Sequence, residues 1–222
     1  FTMSNNPYNA VLFDLDGTLL DTANDLGEAL NHVLSQYNMP IVAREKYRPV
    51  ASNGAKGLLE LGFGEQIAHF DYEKLRQEFL DYYLDNLYVH TCLYPGIHQL
   101  LKTLDKHDIP WGIVTNKPES ITHQLVPHFE EFTRCQAIVG GDTLTERKPH
   151  PAPLLHACEQ MAIIPEQCLY IGDAPRDIEA GNRANMYSII ALWGYIADKA
   201  HCAHWQADNQ VNLPEEIIQF IL

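Results

Sequence analysis

The chain has 222 residues, of which 46% are hydrophobic, and this composition is typical of a globular protein rather than of a disordered segment. Its length fits one large domain or two small ones. The formal net charge of −14 argues against nucleic acid or an anionic membrane as the main partner, because both are bound by clustered Lys and Arg. If the substrate is an anion, a bound divalent cation is the candidate that would attract it.

The five cysteines include no Cys-x-x-Cys pair, and their odd number does not suit a disulfide scaffold, so a reducing compartment is expected. No apolar run in the sequence approaches the roughly 20 residues of a membrane span. The first residues also lack the basic and apolar pattern of a signal peptide. We therefore expect a cytoplasmic protein without a membrane partner, present as a monomer or a homodimer.

The first regular element is an apolar stretch over residues 10–13, which predicts a buried strand. Asp14 and Asp16 follow it directly, and Gly17 lets the chain turn sharply. An open α/β sheet presents its ligands at this position, just beyond the carboxyl end of a strand. Two neighbouring carboxylates favour a cation between them, although the same pair also suits a plain turn and a helix cap.

A helical segment is predicted after this strand. Residues 22–37 repeat apolar side chains at helical spacing, and 41–88 show no strand-like alternation, with helices predicted over 44–50, 53–61 and 71–87. So many helical residues exceed what a crossover between parallel strands requires, which favours an inserted cap over one long connection. The predicted boundaries are 3–20 and 91–222 for the core and 21–90 for the cap.

The second half of the chain alternates strands and helices. Strands are predicted over 111–114, 136–139, 168–171 and 187–192, with a short edge strand at 208–211. Helices are predicted over 95–107, 120–126, 151–161, 176–184 and 214–222. This alternation implies parallel strands joined by helical crossovers. The predicted fold class is therefore α/β, a doubly wound parallel sheet with a Rossmann-like core and an inserted α-helical cap domain.

Polar residues follow the predicted core strands at the point where each strand ends. Because the carboxyl ends of parallel strands meet at one edge of a sheet, we expect these side chains to lie close together. Ordinary alternatives exist, such as a simple strand end for Thr115, a surface position for Lys148 and a helix-dipole partner for Asp177. The set comprises Asp14, Asp16, Thr115, Asn116, Lys148, Asp173 and Asp177.

The chemistry of this set suits phosphoryl transfer. The hard oxygen ligands that Mg²⁺ prefers would come from Asp14, Asp16 and Asp173. The hydroxyl, amide and ammonium groups that suit phosphoryl oxygens would come from Thr115, Asn116 and Lys148. A carboxylate nucleophile, a metal ion and such a clamp together predict a reaction through an aspartyl-phosphate.

Four segments resemble, in order, four motifs of haloacid dehalogenase superfamily phosphatases: Phe-Asp-Leu-Asp-Gly-Thr, Val-Thr-Asn-Lys, Arg-Lys-Pro-His-Pro and Gly-Asp-Ala-Pro-Arg-Asp. The resemblance covers nearly the whole chain. It is closest to the phosphoglycolate phosphatase-like group with a helical cap, with N-acetylmuramate 6-phosphate phosphatases close or equal. It implies a phosphoric monoester hydrolase that uses Mg²⁺ and acts on a small phosphorylated metabolite such as 2-phosphoglycolate or N-acetylmuramate 6-phosphate.

The resemblance also implies a role for each matched residue. Asp14 would be the nucleophile, and Asp16 would protonate the leaving oxygen and later activate the hydrolytic water. Thr115 and Asn116 would grip the phosphoryl group, while Lys148 would neutralise it. Mg²⁺ would be bound by Asp14, the backbone carbonyl of Asp16 and Asp173, with Asp177 orienting these ligands from outside.

The sequence departs from the family pattern at two places. Many relatives carry a hydroxyl residue after the Gly-Asp of the fourth motif, whereas this chain has Ala174 and Pro175. A hydrogen bond near Asp173 is therefore expected to be absent, which would alter metal affinity. A Gly often ends the following helix in relatives, and here Asn185 is expected to adopt the left-handed cap conformation instead.

Specificity is expected from the cap, because the core residues contact only phosphate and metal. A predicted helix begins within residues 52–56, and its N-terminus could meet an anionic or hydroxylated leaving group. The ordinary alternative is a capping turn with Lys56 in solvent, and Arg176 could face either the cleft or solvent. The candidate substrate-binding residues are Asn116 of the core and Asn53, Gly54 and Lys56 of the cap.

Two other classes of function fit parts of this pattern. A phosphonatase, a dehalogenase or a phosphomutase would use the same fold, but Asp16 argues against a dehalogenase because a halide leaves without a proton. A non-catalytic phosphoryl-binding or receiver-like module also combines acids, Thr and Lys on a doubly wound sheet. A receiver module, however, has no need of an inserted cap.

Overall fold

A computed structural model describes residues 6–222, so residues 3–5 of the predicted core lie outside the described part. Its main sheet has six strands in the order β5-β4-β1-β6-β7-β8, and all neighbouring pairs are parallel. The strands are β1 (Ala10–Phe13), β4 (Trp111–Val114), β5 (Ile138–Val139), β6 (Cys168–Gly172), β7 (Tyr187–Ala191) and β8 (Asn209–Val211). The predicted doubly wound parallel sheet is confirmed.

Strand β1 lies at the centre of the sheet, and its four residues are fully buried. Its side chains alternate between two apolar layers, with Val11 and Phe13 in one and Ala10 and Leu12 in the other. Phe13 pairs with Ile113 of β4 and Ile171 of β6, so the three strands end at the same level. This register brings the residues that follow them to one edge of the sheet.

Eight α-helices accompany the strands in residues 6–222. They are α1 (Ala23–Gln36), α2 (Arg44–Tyr47), α3 (Gly54–Phe63), α4 (Tyr72–Asp85), α5 (Ile97–Lys106), α6 (Glu119–Leu125), α7 (Ala152–Met161) and α8 (Pro175–Arg183). None of the helices in this part of the chain is long and apolar enough to cross a membrane.

The segment from α1 to α4 is helical, and α1 packs against both α3 and α4. A two-stranded antiparallel pair, β2 (Leu20–Asp21) and β3 (Cys92–Leu93), joins the chain entering this segment to the chain leaving it. This pair was not predicted, because two residues are too few to establish a strand pattern in the sequence.

Some predicted helices have a different form. The predicted helix over 44–50 is α-helical only to Tyr47 and continues as a 3₁₀-helix over Arg48–Asn53. The predicted C-terminal helix over 214–222 is a 3₁₀-helix over Pro214–Phe220, in which Glu216 N–H donates to Leu213 O at 3.1 Å. Short helical segments commonly close these tighter i to i+3 bonds, and a hydrophobic period does not distinguish them from α-helix.

Candidate active site

Asp14, directly after β1, and Lys148 form a buried ion pair. Lys148 is 2% exposed, and its Nζ lies 3.0 Å from Asp14 Oδ1 and 2.7 Å from Asp177 Oδ1. The same ammonium donates to Tyr170 Oη and to Val114 O. Burial acts to lower the pKa of Lys148, but the two carboxylates outweigh it and hold the pKa above its ordinary value. The lysine therefore stays charged inside the protein.

The two acids after β6 are held in different ways. Asp177 uses both of its oxygens, since Oδ1 binds Lys148 and Oδ2 accepts the N–H groups of Asp173 and Ala174 at 3.1 and 3.0 Å. The Asp173 carboxylate accepts the hydroxyls of Ser52 at 2.7 Å and Thr18 at 3.4 Å. Ala174 has no hydroxyl to donate to Asp173, but Ser52 and Thr18 from other segments supply two.

The charges at this edge suit a divalent cation. One carboxylate oxygen each of Asp14, Asp173 and Asp177 lie within 4.8 Å of one another, and all three residues are buried. Burial and the charge of Asp177 raise the pKa of Asp14 well above its usual range, and they raise that of Asp173 to about 6. One buried lysine does not neutralise three carboxylates, and hard oxygen donors are the ligands that Mg²⁺ prefers. The donor set therefore fits this ion.

Glycines keep space clear beside Asp173. Gly17 has a φ of +83°, a backbone conformation that favours glycine, and a Cβ there would collide with the Asp173 carboxylate. A Cβ at Gly194 would collide with the same side chain. The close approach of two backbone segments to this carboxylate therefore depends on residues without side chains.

Thr115 and Asn116 follow β4 at the same edge. The Thr115 hydroxyl accepts the N–H of Lys117 at 3.1 Å, and the residue is buried. Both polar atoms of the Asn116 amide bind the backbone of Lys148: Nδ2 donates to its carbonyl at 2.8 Å, and Oδ1 accepts its N–H at 3.1 Å. Asn116 thus positions the loop that carries Lys148, while it also lines the cleft described below.

Lys117 is a buried residue of the site that the sequence analysis did not identify. Its Nζ donates to Asp16 Oδ1 at 2.9 Å and to Tyr83 Oη at 2.7 Å. Asp16 Oδ1 also accepts the Thr22 hydroxyl at 2.5 Å. Burial acts to lower the pKa of Lys117, but Asp16 and Tyr83 raise it above its ordinary value. It is the last residue of the Val-Thr-Asn-Lys motif, but no role was assigned to it from the sequence.

The start of α3 covers the site from the cap side. Arg176, whose direction the sequence left open, turns toward the cap: it donates to Asn53 Oδ1 at 2.9 Å and to the carbonyl of Ser52. Lys56 is exposed and lines the cleft. The three proposed cap residues, Asn53, Gly54 and Lys56, line the cleft together with Ser52 and Arg176.

A cleft of about 620 Å³ separates the cap from the sheet edge. Asp14, Asp16, Thr115 and Lys148 line its inner end. The walls include apolar residues of α1, α4 and α6 and the start of α3. This volume is within the roughly 300–1,000 Å³ that proteins use for small-molecule ligands.

The fold and the site define the class of protein: an α/β enzyme whose reactive acids lie at the carboxyl edge of a parallel sheet beneath a helical cap. Residues 11–191 match the family described as haloacid dehalogenase-like hydrolase, so the chain belongs to this family. The family predicted from the four motifs and the prediction of an enzyme are confirmed.

Relatives match over almost the whole chain. A phosphoglycolate phosphatase of Xanthomonas campestris pv. campestris (strain 8004) is 42% identical over 211 residues, covering 94% of both chains. An N-acetylmuramic acid 6-phosphate phosphatase of Pseudomonas aeruginosa is 39% identical over 212 residues, covering 96% of this chain and 94% of that one. The crystal structure of a predicted phosphoglycolate phosphatase from Haemophilus somnus superposes with a TM-score of 0.87 at 26% identity, covering 97% and 99% of the two chains.

Proposed function

We propose that the protein is a Mg²⁺-dependent phosphatase that hydrolyses a small phosphate monoester through an aspartyl-phosphate on Asp14. The observation that carries this proposal is the way Asp14 is held. Its Oδ1 accepts the N–H of Leu15 at 2.8 Å and the ammonium of Lys148 at 3.0 Å. Its Oδ2 accepts no hydrogen bond from residues 6–222, and Asp14 lines the cleft. Oδ2 is therefore the oxygen available to attack phosphorus.

Asp16 is the proposed proton donor to the leaving oxygen, and afterwards the base that activates water. It lies two residues beyond Asp14 and lines the same end of the cleft. Thr115 and the backbone of Asn116 would hold phosphoryl oxygens, and Lys148 would offset the negative charge that gathers on them.

The residues that would hold Mg²⁺ are Asp14, Asp173 and the backbone carbonyl of Asp16, with Asp177 fixing their orientation. The ion, when bound, would neutralise charge on the phosphoryl oxygens and on the carboxylate that attacks them. The hydrogen bonds of Asp177 support its indirect role, because both of its oxygens are already used by Lys148 and by backbone N–H groups.

The substrate class is proposed from the relatives. They are described as phosphatases of phosphoglycolate and of N-acetylmuramic acid 6-phosphate, two monoesters whose leaving groups carry a carboxylate. A small anionic phosphate ester is therefore the proposed substrate. No observation on this chain favours carbon-halogen cleavage or phosphoryl exchange between two hydroxyls of a sugar.

The test is hydrolysis of p-nitrophenyl phosphate by the full chain with Mg²⁺, with EDTA, and by Asp14→Asn. We expect release of p-nitrophenol that depends on Mg²⁺ and that Asp14→Asn abolishes. We also expect a phosphorylated form of the wild type that hydroxylamine cleaves, as an acyl phosphate requires. The matched control is Asp108→Asn, an exposed aspartate at a φ of +53° that Asn tolerates. Equal hydrolysis by wild type and Asp14→Asn would contradict the proposal.

A further inference from the structure

Helix α4 runs along one wall of the cleft, so positions along it measure distance from the catalytic residues. Tyr83 marks the catalytic end, because its hydroxyl lies 2.7 Å from Lys117 Nζ, which in turn binds Asp16. Tyr72, Arg76 and Tyr83 all line the cleft from one face of α4. Arg76 precedes Tyr83 by seven residues, which is about two turns and roughly 10 Å along the helix. Tyr72 lies another turn farther away.

The far end of the cleft carries positive charge. Arg76 of the cap and Arg147 of the core both line the cleft, and Arg147 directly precedes Lys148 in the chain. Burial raises the pKa of the Tyr72 hydroxyl; the charges of Arg76 and Arg147 act to lower it, while those of Glu60 and Glu73 act to raise it, so both guanidinium groups lie within electrostatic range of this hydroxyl. A helix of the cap and a loop of the core thus bring two cations near one another.

Neither arginine forms an ion pair with a carboxylate of the described part of the chain. The arginine ion pairs between residues 6 and 222 involve Arg48, Arg134 and Arg183. Glu73 also lines this end and is exposed. An acidic group on the part of a ligand away from its phosphate would be attracted to Arg76 and Arg147.

The middle of the cleft is apolar. Phe79 and Leu80 lie between Arg76 and Tyr83 along α4, and Leu26 of α1 and Ile121 of α6 also line the cleft. Such walls suit a carbon skeleton rather than a row of charges. A ligand that fills the cleft would then have a phosphate at one end, a mainly carbon body and an acidic group at the other end.

We infer that Arg76 and Arg147 bind a carboxylate borne by a substrate much longer than a two-carbon ester, such as an acidic sugar phosphate. This inference rests on the proposed phosphatase function. In 2-phosphoglycolate the carboxylate is separated from the ester oxygen by a single carbon, so it stays beside the catalytic end. In a hexose 6-phosphate with an acidic ether on C3, several carbon atoms separate the carboxylate from the ester oxygen, so it lies farther from the catalytic end. Arginine forks match carboxylate geometry, which favours this class of anion.

The test uses two substrates that differ in one group. N-acetylmuramic acid 6-phosphate is N-acetylglucosamine 6-phosphate with a lactyl ether that carries a carboxylate. We expect the wild type to show a kcat/KM about tenfold to a hundredfold higher for the acidic sugar, since hydrogen bonds to a charged group have that effect. Arg76→Ala and Arg147→Ala should each bring this ratio toward one. Because the ratio is taken on one preparation, partial misfolding cancels from it.

Two further variants sharpen the result. Arg76→Lys keeps the charge but not the fork, and should retain part of the preference. Lys74→Ala is the control, because Lys74 lies on another face of α4 beside a separate groove and should leave the ratio unchanged. The inference is wrong if the wild type treats the two sugars alike, or if it prefers 2-phosphoglycolate to both. If no phosphate ester at all is hydrolysed, the proposed function itself fails and the inference falls with it.

Discussion

Two lysines in the site are almost completely buried, and each is surrounded by oxygen atoms. Lys148 has four oxygens within 3.0 Å, and Lys117 has those of Asp16 and Tyr83 within 2.9 Å. Removing an ammonium group from water is costly unless such partners replace the water. A lysine is therefore favoured at each of these buried positions by the acids around it. Lys148 in turn fixes the side chain of Asp14, and Lys117 fixes that of Asp16.

Lys117 can be tested through the leaving group. In Lys117→Met the Asp16 carboxylate loses the ammonium group that holds it, so we expect proton transfer by Asp16 to be impaired. General acid catalysis of this kind contributes about 10²–10⁴ in rate. Hydrolysis of an alkyl phosphate, whose leaving oxygen needs a proton, should therefore fall about 10–100-fold more than hydrolysis of p-nitrophenyl phosphate. The measurement is kcat for both esters. Tyr83→Phe, which removes one partner of Lys117, should act in the same direction with a smaller effect.

The matched control for this substitution is Lys102→Met, at an exposed position of α5. It should leave both rates unchanged. Equal losses on the two esters in Lys117→Met would mean that the lysine supports the fold or the phosphate and has no particular effect on proton transfer by Asp16.

The sequence predicted some of these residues and missed others for a physical reason. Asp14, Asp173 and Lys148 stand next to buried strands or a helix start, and parallel strands bring such positions together. Lys117 has a similar position, but a lysine after a strand is ordinarily a surface residue. The contact between Ser52 and Asp173 joins positions 121 residues apart, and it depends on how the cap packs against the core. No local pattern encodes that packing.

At the scale of elements, Asp25 ties α1 to the chain that leaves the cap. Its carboxylate is buried and accepts the N–H groups of Val89, His90 and Thr91 within 3.1 Å, together with the Thr91 hydroxyl at 2.7 Å. A single carboxylate thus satisfies the backbone of a turn that forms no ladder of its own. The path of the chain from α4 to β3 depends on this contact.

We expect Asp25→Ala to lower the free energy of unfolding by about 2–4 kcal/mol, because several donors lose a charged acceptor and some remain buried without a partner. Urea unfolding followed by circular dichroism measures this change. Asp85→Ala, at an exposed position at the end of α4, is the control and should change the stability by less than about 0.5 kcal/mol. A similar loss in both variants would contradict the assigned role of Asp25.

The end of α8 offers a second prediction at this scale. Asn185 has a φ of +61° directly after the helix, as the sequence predicted for this position, and the residue is exposed. Left-handed backbone costs an ordinary L-residue roughly 1–2 kcal/mol, while Gly and Asn adopt it readily. We expect Asn185→Ala to lose about 1 kcal/mol of stability and Asn185→Gly to lose little or none. Thermal unfolding of the wild type and the two variants measures these changes. An Asn185→Ala variant more stable than Asn185→Gly would contradict the argument from the left-handed conformation.

Element boundaries were predictable where an element is long or fully buried. The bounds of β1 and β4 agree with the apolar runs, because both strands are buried on both faces. The pair β2 and β3 and the 3₁₀-helices escaped, since two-residue strands and single helical turns leave no periodic signal. The alternation of strands and helices predicts parallel strands joined by crossovers, but it does not give the order of the strands in the sheet.

At the scale of the whole molecule, the cap and the core meet around an excess of negative charge. The contacts between them include Lys117 with Tyr83, Ser52 with Asp173, and a paired Arg48 and Asp21 at 2.7 Å beside the connecting strands. Arg176 adds a bond to Asn53. These polar contacts surround the cleft, so a change in charge at the sheet edge alters the interactions that hold the cap against the core.

This arrangement predicts that Mg²⁺ stabilises the folded protein. An ion that binds only the native state adds about 2.7 kcal/mol at a concentration one hundred times its Kd. For a chain of this size that gain corresponds to a rise of about 5–10 °C in Tm. Thermal unfolding with increasing MgCl₂, at constant ionic strength set with NaCl, measures the effect without any substrate. In Asp173→Asn one of the three clustered carboxylates is lost, and the rise should be much smaller. If the variant and the wild type are stabilised equally, the ion binds elsewhere on an acidic surface, and the proposed ligand set is wrong.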